Sequence, residues 1–109
     1  MKATFLTLVL ILSASFAQAE IANTSLVCND VQGSQAIIRI VLNGQKRPVS
    51  HMGEGIGDQA REILAQFTSA CYMASLPYSA SPKPEALRAQ IKYTINADGL
   101  VIIDDLKLN

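Results

Sequence analysis

The order of apolar and polar residues predicts one helix and two strands in the second half of the chain. Apolar side chains recur at the spacing of one helical face, at Ala60, Ile63, Leu64, Phe67 and Cys71. They predict a helix from Asp58 to about Ser75, which ends before Pro77 because proline cannot donate a backbone hydrogen bond. Residues 90–95 alternate in the manner of a strand, and residues 100–108 form the return strand after a turn at 96–99.

The first half of the chain contains one clear strand, at residues 36–42 (AIIRIVL), which is rich in β-branched side chains. Only Arg39 is polar in it, so both faces should be covered, or the second face should contact a partner. A brief strand at residues 26–28 precedes it, and turn-forming residues lie at 29–34. Residues 46–57 contain Pro48 and three alternating glycines, which predict a loop.

These elements predict a small α+β domain at residues 20–109. The arrangement that we expect is an antiparallel sheet of three to four strands, with one main helix packed on it. Residues 85–88 should add a further helical turn before the second firm strand, and the proline-rich residues 77–84 should form a stiff surface linker.

The N-terminus has the pattern of a secretory signal peptide. Lys2 supplies a positive charge, residues 5–11 are uncharged, and Ala17-Gln18-Ala19 has the small-x-small pattern that signal peptidase recognises. The apolar stretch is too short for a permanent membrane anchor. We therefore expect cleavage after Ala19 and a mature protein in the periplasm, with secretion from the cell as the alternative.

The chain has two cysteines, Cys28 and Cys71, and an exported protein meets an oxidising environment. One intramolecular disulfide is the expected result. Redox-active pairs usually lie close together in the chain, as in Cys-x-x-Cys, so this bond should be structural. A domain of this size often needs such a covalent link to be stable.

The charge of the mature chain argues against nucleic acid as a partner. Removal of the signal peptide takes Lys2 from the nine basic residues and leaves all nine acidic residues, so the formal charge is about −1. Nucleic-acid binding needs a basic face that displaces counterions. The same charge argues against electrostatic binding to an anionic membrane.

The residues that could carry chemistry do not form a recognisable catalytic pattern. Ser50 precedes the single histidine, His51, but neighbours in sequence rarely face each other as nucleophile and base. Asp104 and Asp105 should point to opposite faces of a strand. His51 has no second ligand at metal-binding spacing, and the three glycines lack the Gly-Lys-Ser/Thr of a nucleotide loop. We therefore expect no enzyme activity, no catalytic residues, no metal and no cofactor.

Residues 91–101 (IKYTINADGLV) resemble the hairpin of the C-terminal periplasmic domains of TonB and TolA, which has an alternating strand, an Asp-Gly turn and a return strand. The preceding helix, with Ile63, Phe67 and Tyr72, is similar in placement. The resemblance covers about half of the mature chain. The sequence departs from that family in the extra strand at residues 36–42 and in having no later helix and strand after Leu108. It implies a stand-alone envelope adaptor that binds proteins through sheet edges.

Together these features predict a non-enzymatic binding protein of the cell envelope that acts by protein–protein contact. One mode is strand addition at residues 100–108 or 36–42, which would use Leu100 and Ile102 and could also join two copies of the chain. The other mode is contact through the loops at 46–56 or 76–84, with Met52 and Tyr78 as anchors. The loop mode is typical of an inhibitor or immunity protein against a secreted hydrolase, which is the alternative function.

Two further classes are less favoured. A stress chaperone would expose apolar surface on a trigger, and a single histidine gives little pH sensing. A carrier of a small apolar ligand would need a cavity that a core of this size cannot enclose.

Overall fold

The computed structural model describes residues 18–29 and 37–109, and its main feature is a closed barrel of five β-strands. The strands are β1 (Glu20–Cys28), β2 (Ile38–Leu42), β3 (Gln45–Met52), β4 (Leu87–Ile95) and β5 (Val101–Leu108). A helix, α1 (Asp58–Ser75), connects β3 to β4. The order around the barrel is β1-β2-β3-β5-β4. A five-stranded Greek-key barrel is the architecture of the OB-fold.

The predicted α+β domain, an open antiparallel sheet of three to four strands with a helix packed on it, is therefore wrong. Two strands account for the difference. β1 is nine residues long rather than a brief strand, and β3 occupies most of the segment predicted as a loop. β3 also runs parallel to β5, whereas the other neighbouring strands are antiparallel. These pairings join the two sides of the sheet into a barrel.

β1 closes one side of the barrel because it pairs with two different strands. Residues 20–26 pair with β4, and residues 26–28 pair with β2. Leu26 belongs to both ladders and is fully buried at the point where they meet. Thr24 extends the connection by donating its hydroxyl hydrogen bond to the backbone oxygen of Val41 in β2.

The predicted helix is confirmed over Asp58–Ser75. Its buried residues, Ala60, Leu64, Phe67 and Cys71, belong to the same core as the barrel interior. Because α1 leaves the end of β3 and leads into β4, it lies at the end of the barrel where these strands finish and start. Leu76 is extended (φ −69°, ψ 143°), as expected for the residue before a proline.

The barrel interior is filled by apolar side chains contributed by every strand and by α1. The fully buried large residues are Leu26, Ile40, Leu64, Ile91, Val101 and Ile103. No polar or charged residue is buried among the described part of the chain. The interior is thus a packed core, and the surfaces open to a partner are on the outside.

The turn predicted at residues 96–99 is confirmed, a second tight turn joins β2 to β3, and one predicted helical turn is wrong. Asn43 and Gly44 both have positive φ (51° and 78°), which is the conformation of a tight hairpin between β2 and β3. Gly99 has φ 80° between β4 and β5, as its position in the predicted turn requires. The helical turn predicted at residues 85–88 is absent, because Leu87 and Arg88 pair with β1 as the start of β4.

The predicted disulfide is confirmed between Cys28 and Cys71, with 5.4 Å between their Cα atoms. It joins the last residue of β1 to the buried face of α1. The helix is therefore linked covalently to the barrel as well as packed against it. The turn predicted around Gly33 and Ser34 and the predicted signal sequence up to Ala17 lie outside the described residues.

Replacing both cysteines by serine should lower the free energy of unfolding by about 2–5 kcal/mol, because the bond restricts the unfolded chain. The cysteines are 43 residues apart, so the bond closes a long loop and lowers the conformational entropy of the unfolded chain. Urea unfolding followed by circular dichroism measures the change. A reducing agent should destabilise the natural chain by a similar amount and leave the double variant unaffected. Equal stability with and without the bond would contradict this account.

Tyr93 lies at the opposite end of the barrel from α1, where β1 starts and β4 ends. Its hydroxyl donates a hydrogen bond of 2.7 Å to Oε2 of Glu20. This hydrogen bond, burial of the ring and the Glu20 charge all raise the pKa of Tyr93 above its usual value of 10.0, whereas Arg47 acts in the opposite direction. Arg47 is held nearby by its own hydrogen bond of 2.9 Å to the backbone oxygen of Gly99.

The raised pKa of Tyr93 makes a prediction about alkaline stability. The stabilisation is complete below the unfolded-state pKa of 10.0 and is lost as pH rises through the higher folded-state pKa. Unfolding free energy should therefore fall above pH 10, and it should fall less steeply in Tyr93→Phe. Urea titrations from pH 8 to pH 11.5 measure both slopes. Parallel curves for the two proteins would show that the tyrosine does not contribute.

Candidate functional site

The predicted contact residues lie in two separate parts of the surface. Leu100 precedes β5 and Ile102 is within it, and both side chains are half-buried. Met52 ends β3, is 36% exposed, and pairs with Ile103 next to Ile102. Tyr78 follows α1 and is fully exposed. Three of the four residues are thus neighbours across the β3–β5 ladder, and Tyr78 stands apart from them.

Strand addition at residues 101–103 would require an existing ladder to open, whereas residues 105–108 of β5 pair with β4 alone among the described strands. Ile102 in β5 is paired with His51 in β3 and with Thr94 in β4. β2 is likewise paired on both sides, with β1 and β3. The hairpin that resembles TonB and TolA is present as β4 and β5, but each of its strands has a second neighbour in the barrel. The predicted edge mode would therefore displace β3 at Ile102, and it stays a prediction for the later part of β5.

A β-bulge brings Ser50 and His51 together. The β3–β5 register shifts between Val49 and His51, so Ser50 is an extra residue in its strand. Ser50 Oγ lies 2.9 Å from His51 Nδ1, although strand neighbours normally point to opposite faces. Both residues are exposed. Nucleophilic catalysis also needs a group that orients the base, and no described residue contacts the second ring nitrogen of His51.

A second bulge places Asp104 and Asp105 outside the core together. Lys92 pairs with Asp105 and Tyr93 with Ile103, so Asp104 is the extra residue of β5. The expectation that the two carboxylates point to opposite faces does not hold at a bulge. Asp104 accepts a hydrogen bond from the Thr94 hydroxyl, which fixes its carboxylate against β4. Asp105 is exposed. The bulge thus has a structural explanation in the side-chain contact between β4 and β5.

The close approach of Gly53 to Ile103 and Asp104 of β5 requires a glycine at this position. Its backbone N–H donates a hydrogen bond of 2.7 Å to the oxygen of Ile103. A Cβ atom at this position would lie 2.7 Å from Asp104 Oδ1 and 3.4 Å from the Asp104 Cα. Gly55 faces open space, and Gly57 is the N-cap of α1 with an ordinary φ of −70°. The glycine spacing therefore reflects a close approach of β3 to β5 and the start of a helix.

Gly53→Ala should destabilise the protein by about 1–3 kcal/mol, because the new methyl group displaces the Asp104 carboxylate from Thr94. Gly55→Ala is the matched control and should change stability by less than about 1 kcal/mol, since its Cβ meets no neighbour. Urea unfolding of the two variants measures the difference. If both substitutions had the same effect, the close approach at Gly53 would not be the cause.

The chain after α1 forms a turn with an unusual residue at its third position. The Ser79 N–H donates a hydrogen bond of 3.2 Å to the oxygen of Leu76 across the turn. Pro77 is its second residue and Tyr78, with φ 65°, its third. These are the features of a type II turn, in which the third position normally holds glycine or asparagine. A tyrosine here is a backbone outlier with a fully exposed ring.

Further hydrogen bonds hold this turn and the end of α1. Ser75 Oγ donates to the oxygen of Tyr72 at 2.7 Å, and the Ser81 N–H donates to Ser79 Oγ at 3.1 Å. Two apolar side chains of the last helical turns are also exposed, Tyr72 by 52% and Met73 by 47%. We call Tyr72, Met73 and Tyr78 the tyrosine turn surface. Sequence reasoning predicted Tyr78 as a contact residue by its type but did not predict its strained conformation.

The described residues contain no group of three or more histidine, cysteine, aspartate or glutamate side chains that could hold a metal ion. No helix within residues 18–29 and 37–109 is both long and apolar enough to cross a membrane. No protein-family model, curated protein or solved structure matches this chain.

Proposed function

We propose that this chain is an exported, non-enzymatic binding protein of the cell envelope that contacts its partner protein through the tyrosine turn surface. The observation that carries the proposal is Tyr78, which combines a positive φ of 65° with a fully exposed ring. The fold itself assigns no function, because one architecture supports many activities. The argument therefore rests on this surface.

The backbone conformation of Tyr78 is energetically unfavourable for the folded protein without a partner. A left-handed backbone conformation costs a residue with a Cβ atom about 1–2 kcal/mol, whereas glycine adopts it freely. The ring contributes no burial within the described chain, since it is fully exposed. Strained residues of this kind cluster at sites of function. A role in binding, rather than in stabilising the fold, accounts for a tyrosine at a position that suits glycine.

The chemistry of the tyrosine turn surface fits a protein partner. Tyrosine is enriched among the residues that dominate interface energies, because it buries a large ring with only two side-chain torsions to restrict. The flexible thioether of Met73 adapts to irregular contacts. The hydrogen-bonded turn between Leu76 and Ser79 fixes the backbone that carries the ring, which lowers the entropy lost on binding.

The disulfide and the start of the fold support export. A structural disulfide indicates an oxidising compartment. β1, the first strand of the described residues, begins at Glu20, the residue that follows the predicted cleavage position. These features favour the periplasm and are equally consistent with secretion.

A nucleic-acid partner is less favoured, although OB-folds often bind oligonucleotides across the face of their second and third strands. Single-stranded bases stack on aromatic side chains in such sites. β2 (IRIVL) and β3 (QKRPVSHM) contain no phenylalanine, tyrosine or tryptophan. The formal charge of the mature chain, about −1, also lacks the basic excess that phosphate binding uses.

The rigid turn also favours the second candidate function, an inhibitor or immunity protein of a secreted hydrolase. A fixed, projecting loop fits a cleft in a partner without a large loss of entropy. Such a protein needs a shape and an anchor rather than chemistry of its own. The adaptor and the inhibitor use the same surface, and the activity of the captured partner distinguishes them.

Substitutions at Tyr78 separate loss of the ring from loss of the fold. Tyr78→Gly should weaken partner binding at least about 30-fold, the effect of losing a dominant interface residue, while leaving the protein as stable or more stable. Tyr78→Phe keeps the ring and should retain most of the binding. Ile21→Ser removes an apolar side chain that is 64% exposed on β1 and serves as the matched control.

The measurement is affinity capture from an envelope extract with the tagged, disulfide-bonded protein, followed by titration of the captured partner with each variant. Suppression of a captured hydrolase by the pure protein would support the inhibitor, and capture of an assembly protein would support the adaptor. Full binding by a folded Tyr78→Gly variant would overturn the assignment of this surface.

A further inference from the structure

On the outer face of β1, β2 and β3, the cationic side chain of Arg39 lies between apolar residues. Val27, Arg39 and Pro48 lie opposite one another across the three strands. Ile38, Ile40 and Leu42 alternate with the outward residues of β2 and are buried. Arg39 and Val41 therefore face outward, and Lys46 pairs with Val41 in the next row. We call Val27, Arg39, Val41, Lys46 and Pro48 the Arg39 face.

Arg39 has unused hydrogen-bonding capacity. Its side chain is half-buried, and its Nε is buried with no hydrogen-bond partner. No ion pair to Arg39 is formed by the described carboxylates. A buried donor without a partner destabilises the protein, and more so when the group is charged. A ligand that accepts this hydrogen bond would recover that free energy.

We propose that Arg39 binds a carboxylate of an extended acidic segment of a partner protein, which lies across the Arg39 face. In this complex the guanidinium turns so that Nε and one terminal nitrogen donate two parallel hydrogen bonds to the carboxylate. Val27 and Pro48 flank the ion pair and exclude water from it. This binding does not depend on the tyrosine turn surface, so either assignment can be correct without the other.

The spacing of the two cations specifies the segment further. Lys46 is two residues from Pro48, the residue opposite Arg39, so Arg39 and Lys46 are diagonal neighbours on adjacent strands. Such neighbours lie about 7–8 Å apart. Carboxylates two positions apart on an extended segment project from the same side with nearly the same spacing, about 7 Å. The preferred ligand therefore has an acidic-x-acidic pattern, with x facing away from the barrel.

The probe is the peptide acetyl-Ser-Glu-Val-Glu-Ser-amide, and the readout is nuclear magnetic resonance of the ¹⁵N-labelled, disulfide-bonded protein. The Nε–Hε signal of Arg39 is identified by its loss in Arg39→Lys. Its chemical shift should change and reach a plateau as the peptide is added, and so should the backbone chemical shifts of Val27 and Val41. Replacing both glutamates of the peptide by glutamine should remove the shift.

The protein variants test the role of the guanidinium. Arg39→Lys should weaken binding about 10-fold, because an ammonium cannot make the paired hydrogen bonds of a guanidinium. Lys46→Gln should weaken binding of the two-glutamate peptide and leave a one-glutamate peptide unaffected. Arg61→Lys, an exposed position on α1, is the matched control and should bind normally. Backbone spectra show whether each variant remains folded.

Three results would overturn the proposal. The first is an absence of shift at Arg39, and the second is an equal response to the glutamate and glutamine peptides. The third is a shift with tetragalacturonate, an acidic sugar chain, under conditions where the peptide gives none. That result would assign the Arg39 face to an anionic glycan rather than to a protein.

Discussion

Closure of the barrel through the short parallel ladder between β3 and β5 is the constraint on which the rest of the structure depends. Only Val49, His51 and Met52 on β3 pair with Val101, Ile102 and Ile103 on β5. This ladder turns a curved sheet with two free edges into a barrel with a continuous interior. Without it, β3 and β5 would be open edges, which are prone to non-native pairing, and the buried valines Val49 and Val101 would lose their partners across the core.

The same closure explains why the candidate sites are on the outside. The interior is filled by apolar side chains from the strands and α1, so the chemistry available to a partner is that of the outer faces and connections. At the bulges of Ser50 and Asp104 an extra residue interrupts the alternation of inward and outward side chains and bends its strand, as is common in barrels. Both residues therefore gain contacts that a regular strand would not give them.

The elements that sequence predicted correctly are those with a local signal. The period of α1, the alternation of β4 and the Asp-Gly turn before β5 all arise from residues near one another in the chain. The Cys28–Cys71 bond was also predictable, because a chain with two cysteines allows only one intramolecular pairing. The assignment of Tyr78 as a contact residue rests on its residue type and stays a prediction.

What could not be predicted depends on distant residues. β3 contains Pro48 and buries only Val49, so its own composition is that of a loop, and it forms a strand because β2 and β5 pair with it. The contact between Ser50 and His51 requires the bulge, and the strain at Tyr78 requires the turn geometry. Neither of these two features can be detected from the hydrophobic periodicity of the sequence. The mistaken open sheet follows from this one undetected strand and from the underestimated length of β1.

The disulfide has a role in both proposed surfaces because of where its two ends lie. Cys28 follows Val27 of the Arg39 face, and Cys71 precedes Tyr72 of the tyrosine turn surface. The bond therefore connects the strand that carries one surface to the helix that carries the other, with 5.4 Å between the two Cα atoms. A partner that contacts both surfaces meets them at a fixed separation, so its second contact forms without a further loss of translational freedom. The bond thus fixes the ends of β1 and α1 that lie next to the two proposed surfaces, as well as contributing to stability.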